Sequence, residues 1–424
     1  MSSLHLLPPR QVDLRPLRRK NWNKSKKIGD TLIVLFTKSM TGLRFSILYL
    51  LLRFAAPLVA MSSPHPPPPM VVAYVFPRDT LLQPGQIDAR LLTRINYAFA
   101  NIANGRMVAG YRFDTENFAY LNGLKKENPS LTVLVSVGGW LWSTNFSDVS
   151  LTRESRRIFV QSVIDFLDRY DLDGLDVDWE YPGMPGAGHP FRPEDKRNFT
   201  ALLKDLRGGF KRHGSKTHHV LFLTFEAGAS EEFITHTELG KLQKYVDTVN
   251  LMAYDYYEPT SSRITGHHAP LFSNPADPAH ISADASVQNF EKAGVSAAKI
   301  LLGVPFYGHT WSHVPESNHG LYQPGQPAPQ GYASYAALTG SIGTSGFTRY
   351  WDSISSVPYL YDPVNQTFVS YEDPESLAHK GEYVLAHGLA GIMFWDYESD
   401  PSGRLLGAVN QALNRTPATH KEAQ

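Results

Sequence analysis

The chain reads as an α/β protein, a (β/α)8 TIM barrel carrying a small α+β insertion between strands seven and eight. Three observations lead there. From residue 70 onward, short apolar runs alternate with helical patterns. Those runs number eight, the count that closes a parallel barrel. One connection, residues 308–391, is far longer than a strand–helix–strand link needs.

The runs fall at 71–75, 95–100, 131–137, 174–180, 220–224, 248–254, 300–306 and 391–395. Between them, residues 154–170 place Ile158, Phe159, Val163, Phe166 and Leu167 at helical spacing. Residues 194–210 repeat the pattern with Phe199, Leu202, Leu203 and Leu206, and 282–294 forms a third helix stopped by Gly294. Inside the long connection, 359–361 and 367–371 alternate aromatic and polar residues around the turn sequence 362–365. An insertion domain over 311–385 is expected, raising one wall of a cleft. The catalytic barrel as a whole is expected over 70–424.

The N-terminal part is different. Residues 10–27 are rich in Arg and Lys, and an apolar run over 45–60 is interrupted by Arg53. Small residues and a Pro-rich stretch follow. This pattern reads as a basic segment with a signal peptide over 1–62, then a linker over 63–69. A start at Met40 would give a signal of ordinary length. The expected location is therefore extracellular, and a membrane anchor is the alternative if the apolar run stays uncleaved. The formal net charge of +0 offers nothing to attract nucleic acid. The absence of Cys excludes disulfides, thiolate metal sites and a Cys nucleophile. A monomer is expected.

The chemistry concentrates at 173–180. Asp176, Asp178 and Glu180 occupy every second position, with apolar Leu175, Val177 and Trp179 between them. That is strand periodicity, so the three acids share one face at ~7 Å intervals. Carboxyls this close cannot all ionise cheaply, so at least one stays protonated near neutral pH. A neutral acid beside a carboxylate suits protonation of a weakly basic leaving oxygen. Asp173 falls on the other face and is read as structural. In such barrels the chemistry gathers at the carboxyl ends of the strands. Ser136 with Gly138 and Gly139, then Glu180, then Tyr254 and Asp255, then Trp395 close strands three, four, six and eight. They converge on one cleft. His267, His268 and the other histidines lack metal-ligand spacing and are read as ordinary loop residues; no metal or cofactor is expected.

These residues resemble the family 18 glycoside hydrolases, the chitinase family. Asp173, Asp176, Asp178 and Glu180 match its Asp-x-x-Asp-x-Asp-x-Glu signature, and the likeness extends to residues 136–140, 250–255, 303–308 and 391–395. The resemblance implies hydrolysis of β-1,4 linkages between N-acetylglucosamine units in chitin or its oligosaccharides, with retention. Glu180 would be the acid and base, and the substrate's acetamido group the nucleophile. Asp178 would orient and stabilise that group, Asp176 would tune Asp178, and Tyr254 would donate to the acetamido oxygen. Trp395 would floor the reacting sugar. Tyr74, Phe99, Trp140 and Tyr307 would line sugar subsites, with core packing as the alternative for all but Trp140. Asp255 would contact or orient substrate, and Met252 would pack the wall. Two alternatives stay open: another N-acetylated glycan, such as peptidoglycan or the chitobiose core of N-glycans, and a chitin-binding lectin. Lectin relatives typically lack the last acid, which is present here. The sequence departs from the family at Glu226, where a small apolar residue is common. This acid would alter a plus-side subsite or the pH profile, or point away.

Overall fold

The computed structural model describes residues 68–340, 342 and 346–415. The basic segment, the signal peptide and nearly all of the linker lie outside them. Among the described residues, no helix is long and apolar enough to cross a membrane.

Eight parallel strands close the barrel: β1 (Met70–Val75), β2 (Arg94–Ala103), β4 (Thr132–Gly138), β5 (Gly174–Asp178), β6 (Phe222–Gly228), β7 (Thr248–Met252), β8 (Ile300–Pro305) and β14 (Gly391–Trp395). Pairing of β1 with both β2 and β14 completes the ring. A short antiparallel strand, β3 (Arg106–Val108), extends β2. Helices pack outside, each laying an apolar stripe on the strands. In Arg153–Tyr170 the stripe is Phe159, Val163, Phe166 and Leu167, started by a Thr152–Ser155 capping box. Asp195–Thr217 buries Phe199, Leu202, Leu203, Leu206 and Phe210 in the same way.

Strand ends differ by a few residues from those expected, and two of the differences bear on the site. The fifth barrel strand runs over Phe222–Gly228, not 220–224. Leu223, Phe225 and Ala227 alternate outward on it, and the acid at 226 had masked that continuation. The fourth strand stops at Asp178, where Gly139 N–H takes the Asp178 carbonyl at 2.8 Å. A Cβ on Gly138 would lie 2.2 Å from that carbonyl oxygen, so glycine is required there.

The insertion is a five-stranded antiparallel sheet in the order β10 (Gln326–Ser334), β9 (Tyr307–Ser312), β13 (Thr367–Ser370), β12 (Val357–Asp362), β11 (Thr348–Asp352). The β12–β13 turn forms where expected, with the Asp362 side chain accepting from Val364 and Asn365 N–H. Helix Pro374–Ala386 then leads back to β14. The loop after β7 is clamped to this insertion. His267 Nε2 meets Asp352 at 3.1 Å, Asn274 donates to the same carboxylate, and buried Lys380 reaches the Ala269 carbonyl and Glu372. His267 and His268 are therefore buried packing residues, not ordinary loop residues: the insertion folds down over them.

Candidate active site

The barrel lumen is polar around the acids of β5, while Val72, Ala98, Leu301 and Met393 form an apolar cluster on its β1, β2, β8 and β14 side. Polar residues facing inward from successive strands are Tyr74, Asn96, Ser136, Asp176, Asp178, Thr224, Glu226 and Asn250, all buried. Each alternates with apolar residues that face the helices, so strand periodicity alone sorts the two sets.

Asp176 sits at the centre. Its Oδ2 accepts from Tyr74 OH and Ser136 Oγ, both at 2.8 Å, and its Oδ1 accepts from Thr224 Oγ1 and Asn250 Nδ2. Burial pushes its carboxyl up to about 6, and the hydroxyl donors from Thr224 and Ser136 and the positive charge of Arg94 hold it from rising further. Asp178 lies one step up the same face. Its Oδ1 is buried and has no hydrogen-bond partner among the described residues. Burial, then the charges of Glu180 and Asp176, drive its carboxyl well above the usual range. Glu180 is 9% exposed, at the rim of the lumen. Burial raises it to about 7, against a lowering hydrogen bond from Tyr181, while the negative charge of Asp255 adds to the rise. Ser143 fixes the turn: its Oγ donates to the Asp178 carbonyl and accepts from Glu180 N–H at 2.9 Å.

Glu226 is drawn into the lumen. It contacts Tyr74 OH and accepts from Asn250 Nδ2 at 3.2 Å. Burial pushes its carboxyl far up, against a lowering hydrogen bond from Asn250, and so favours its protonated form.

The other expected site residues divide into three groups. Trp395 is partly exposed above the acids, stacked on Phe99 at 5.6 Å and tilted against Tyr74 at 5.8 Å. Trp140 is 50% exposed, beside Tyr181. Tyr254, Met252 and Asp255 line a cavity of about 620 Å³ together with Glu180, Tyr181 and Tyr256. Tyr74 and Tyr307, in contrast, offer no ring face to a sugar. Tyr74 lies beneath Trp395 and spends its hydroxyl on Asp176, and buried Tyr307 donates to Asp255 Oδ1 at 2.6 Å. Asp173 is structural: it accepts from Val133 N–H and pairs with Lys125.

Asp255 collects more partners than its sequence neighbourhood announced. Besides Tyr307, His309 Nε2 lies 2.8 Å and His268 Nδ1 3.6 Å from its Oδ1. Partial desolvation raises its carboxyl, but the hydrogen bond to His309 and the charge of both histidines hold it well below the usual range. Sequence reading missed Ser143, Tyr181, Thr224, Asn250, His268 and His309. The inward positions of β6 and β7 were the available signal for Thr224 and Asn250; nothing local marked the histidines.

A parallel barrel with an acid triad at the end of its fourth strand is an arrangement suited to a glycoside hydrolase. The chain belongs to glycosyl hydrolases family 18, whose profile matches residues 70–400. It is 39% identical to Chitinase A1 of Niallia circulans over 330 residues, which is 74% of this chain and 47% of that protein. The chain thus spans about half the length of that relative. Chitotriosidase-1 of Mus musculus is 33% identical over 334 residues, covering 77% of this chain and 69% of its own. A solved family 18 N-acetylglucosaminidase from Paenibacillus barengoltzii superposes with a TM-score of 0.75 at 40% identity, covering 81% of this chain and 99% of that one.

Proposed function

We propose that the chain is a retaining chitinase that hydrolyses β-1,4 bonds between N-acetylglucosamine units by substrate-assisted catalysis. The observation that carries this reading is the pairing of Glu180, an acid poised near neutrality, with the unpartnered buried acceptor Asp178 Oδ1. Protonated Glu180 gives its proton to the glycosidic oxygen as the bond to the anomeric carbon breaks. The acetamido oxygen of the same sugar attacks that carbon, forming an oxazolinium ion. Asp178 passes its proton to Asp176, accepts the acetamido N–H and so supplies negative charge beside the developing cation. Asp176 holds the partner proton and charge. Glu180, now ionised, takes a proton from water, which opens the ring with net retention. Tyr254 donates to the acetamido oxygen, and Trp395 supports the apolar sugar face. The enzyme is read as a secreted monomer with the domain division given above. Sequencing the N-terminus of mature protein checks the signal.

The test is a product profile on N-acetylglucosamine oligomers with the full chain, read for anomeric configuration by NMR, with Glu180→Gln as control. β-Anomeric short oligomers, lost in the control, support the reading. Release of single N-acetylglucosamine units would favour the activity carried in the name of the Paenibacillus barengoltzii relative. Tight binding without cleavage would favour a lectin, and cleavage confined to peptidoglycan or N-glycans would move the substrate.

A further inference from the structure

Beside the acid triad, three potential metal ligands meet from three parts of the fold. Asp255 follows β7 in a left-handed turn (φ 59°). His268 lies on the loop after β7, its N–H donating to Ser370 Oγ at 2.8 Å and its carbonyl accepting from Tyr256 N–H. His309 is on β9, paired with Ser370 of β13. One ligand atom from each lies within 4.8 Å of the others. We propose that Asp255, His268 and His309 form a binding site for a divalent transition-metal ion of the zinc class, held by two imidazoles and one carboxylate at the wall of the cleft.

Five features argue for it. The donor set suits zinc, nickel or copper, and three protein ligands leave a position open to water or a sugar oxygen. Tetrahedral bonds of ~2.0–2.2 Å separate ligand atoms by roughly 3.3–3.5 Å. The separations of 2.8 Å (His309–Asp255) and 3.6 Å (His268–Asp255) bracket that edge, and the third pair lies within 4.8 Å. His268 is wholly buried, and neither ring nitrogen has a hydrogen-bond partner among the described residues. An ion bound through Nδ1, the nitrogen that faces Asp255, would give one of these two nitrogens a partner. A plain Asp–His hydrogen bond accounts for His309 and leaves His268 without a role. Asp255 keeps 45% of its side chain exposed, which gives the ion a route in from the cleft. Tyr307, donating to Asp255 Oδ1, supplies outer-shell support.

The consequence for activity rests on the chitinase reading; binding itself does not. Asp255 lines the same cavity as Glu180, Tyr254 and Met252. An ion there removes the negative charge that Asp255 presents to Glu180 and occupies its oxygen. Bound metal is therefore inhibitory.

The test uses untagged full chain stripped by chelator and titrated with Zn²⁺ by calorimetry, then with Co²⁺ read by visible absorption. One ion per chain at micromolar affinity and the intense bands of four-coordinate cobalt are expected. His268→Asn and His309→Gln should each weaken binding at least tenfold, while His219→Ala on the far rim leaves it unchanged. Melting temperatures without metal check that each variant folds, and either histidine variant suffices if the other does not. Zn²⁺ should suppress hydrolysis in the parent, reversibly with chelator, and spare His268→Asn at the same concentration. No saturable binding below millimolar Zn²⁺, or equal binding by folded His268→Asn and His309→Gln, overturns the site. Confirmed zinc binding with no hydrolysis of any oligomer would overturn the chitinase reading and leave the metal site standing.

Discussion

Around Asp176, on strands β4 to β7, the two faces of the barrel wall are equally buried and chemically opposite. Outward, Val135 and Val137, Leu175 and Val177, Leu223 and Phe225, and Val249 and Leu251 are fully enclosed by helices. Inward, Ser136, Asp176, Thr224 and Asn250 are just as enclosed, yet every one is polar. The outer layer stabilises by removing apolar area from water. The lumen costs stability, because carboxyls are held out of water without a matching cation for each. What the molecule gains there is tuned acidity at the rim. Burial by itself therefore does not distinguish core from site; the difference lies in which buried groups keep hydrogen-bond partners and which, like Asp178 Oδ1, wait for one.

Several substitutions break or sharpen that contrast. The largest expected effect on activity is Glu180→Gln at the lumen rim. It should cost about 10²–10⁴ in kcat and leave the melting temperature near that of the parent, as measured by oligomer hydrolysis and calorimetry. Outward, Phe225→Ala should do the reverse. It should cost ~3–5 kcal/mol in denaturant unfolding while folded protein keeps its kcat; a specific activity loss there would erase the distinction between the faces.

The pH dependence follows with its sign. Glu180 must carry a proton to act as the acid, so kcat should fall as pH rises through about 7. Asp176, Asp178, Glu180 and Glu226 all have carboxyls raised above their ordinary values by burial. The native state then binds more protons than the unfolded one, so their contribution is complete below pH ~4 and lost as pH climbs past neutrality. Asp255 works in the opposite direction: its carboxyl is held low, so its contribution is present above pH ~4 and is lost only as the pH falls into strong acid. Unfolding measured from pH 4.5 to 8.5 should show a decline across the interval.

Glu226→Gln isolates one member of that set. It should stabilise by on the order of 1–3 kcal/mol at pH 8 and change little at pH 4.5. Equal effects at both values would mean that Glu226 is not held protonated. The smallest expected change is Ser136→Ala, which removes one of four donors to Asp176. It should cost ~1 kcal/mol and move the acidic limb of the pH–rate profile upward, as Asp176 loses a bond that favours its charged form.

The helices and most strands were readable because amphipathic periodicity is local. Residues 154–170 show their stripe without help from the rest of the chain, and Thr152 and Ser155 need only each other to start the helix. Strand ends were less readable where an inward polar residue interrupted an apolar run, as Glu226 did in β6. The insertion was visible as a long connection containing a hairpin. That it folds back over residues 267–274 was not visible, because those contacts join segments about eighty residues apart.

The alternation of acid and apolar residues over 175–180 determined by itself that Asp176, Asp178 and Glu180 share a face, since neighbouring Cβ atoms on a strand point to opposite sides whatever surrounds them. It equally determined that such a group carries at least one proton. Only the tertiary structure decided which residues meet that face. Tyr74, Thr224 and Asn250 join Asp176 through the stagger between strands, Glu226 joins them through Asn250, and His268 and His309 reach Asp255 through the docking of the insertion. The stagger is set by closure of the whole ring and the docking by contacts distant in sequence, so neither leaves a periodic mark within any one segment.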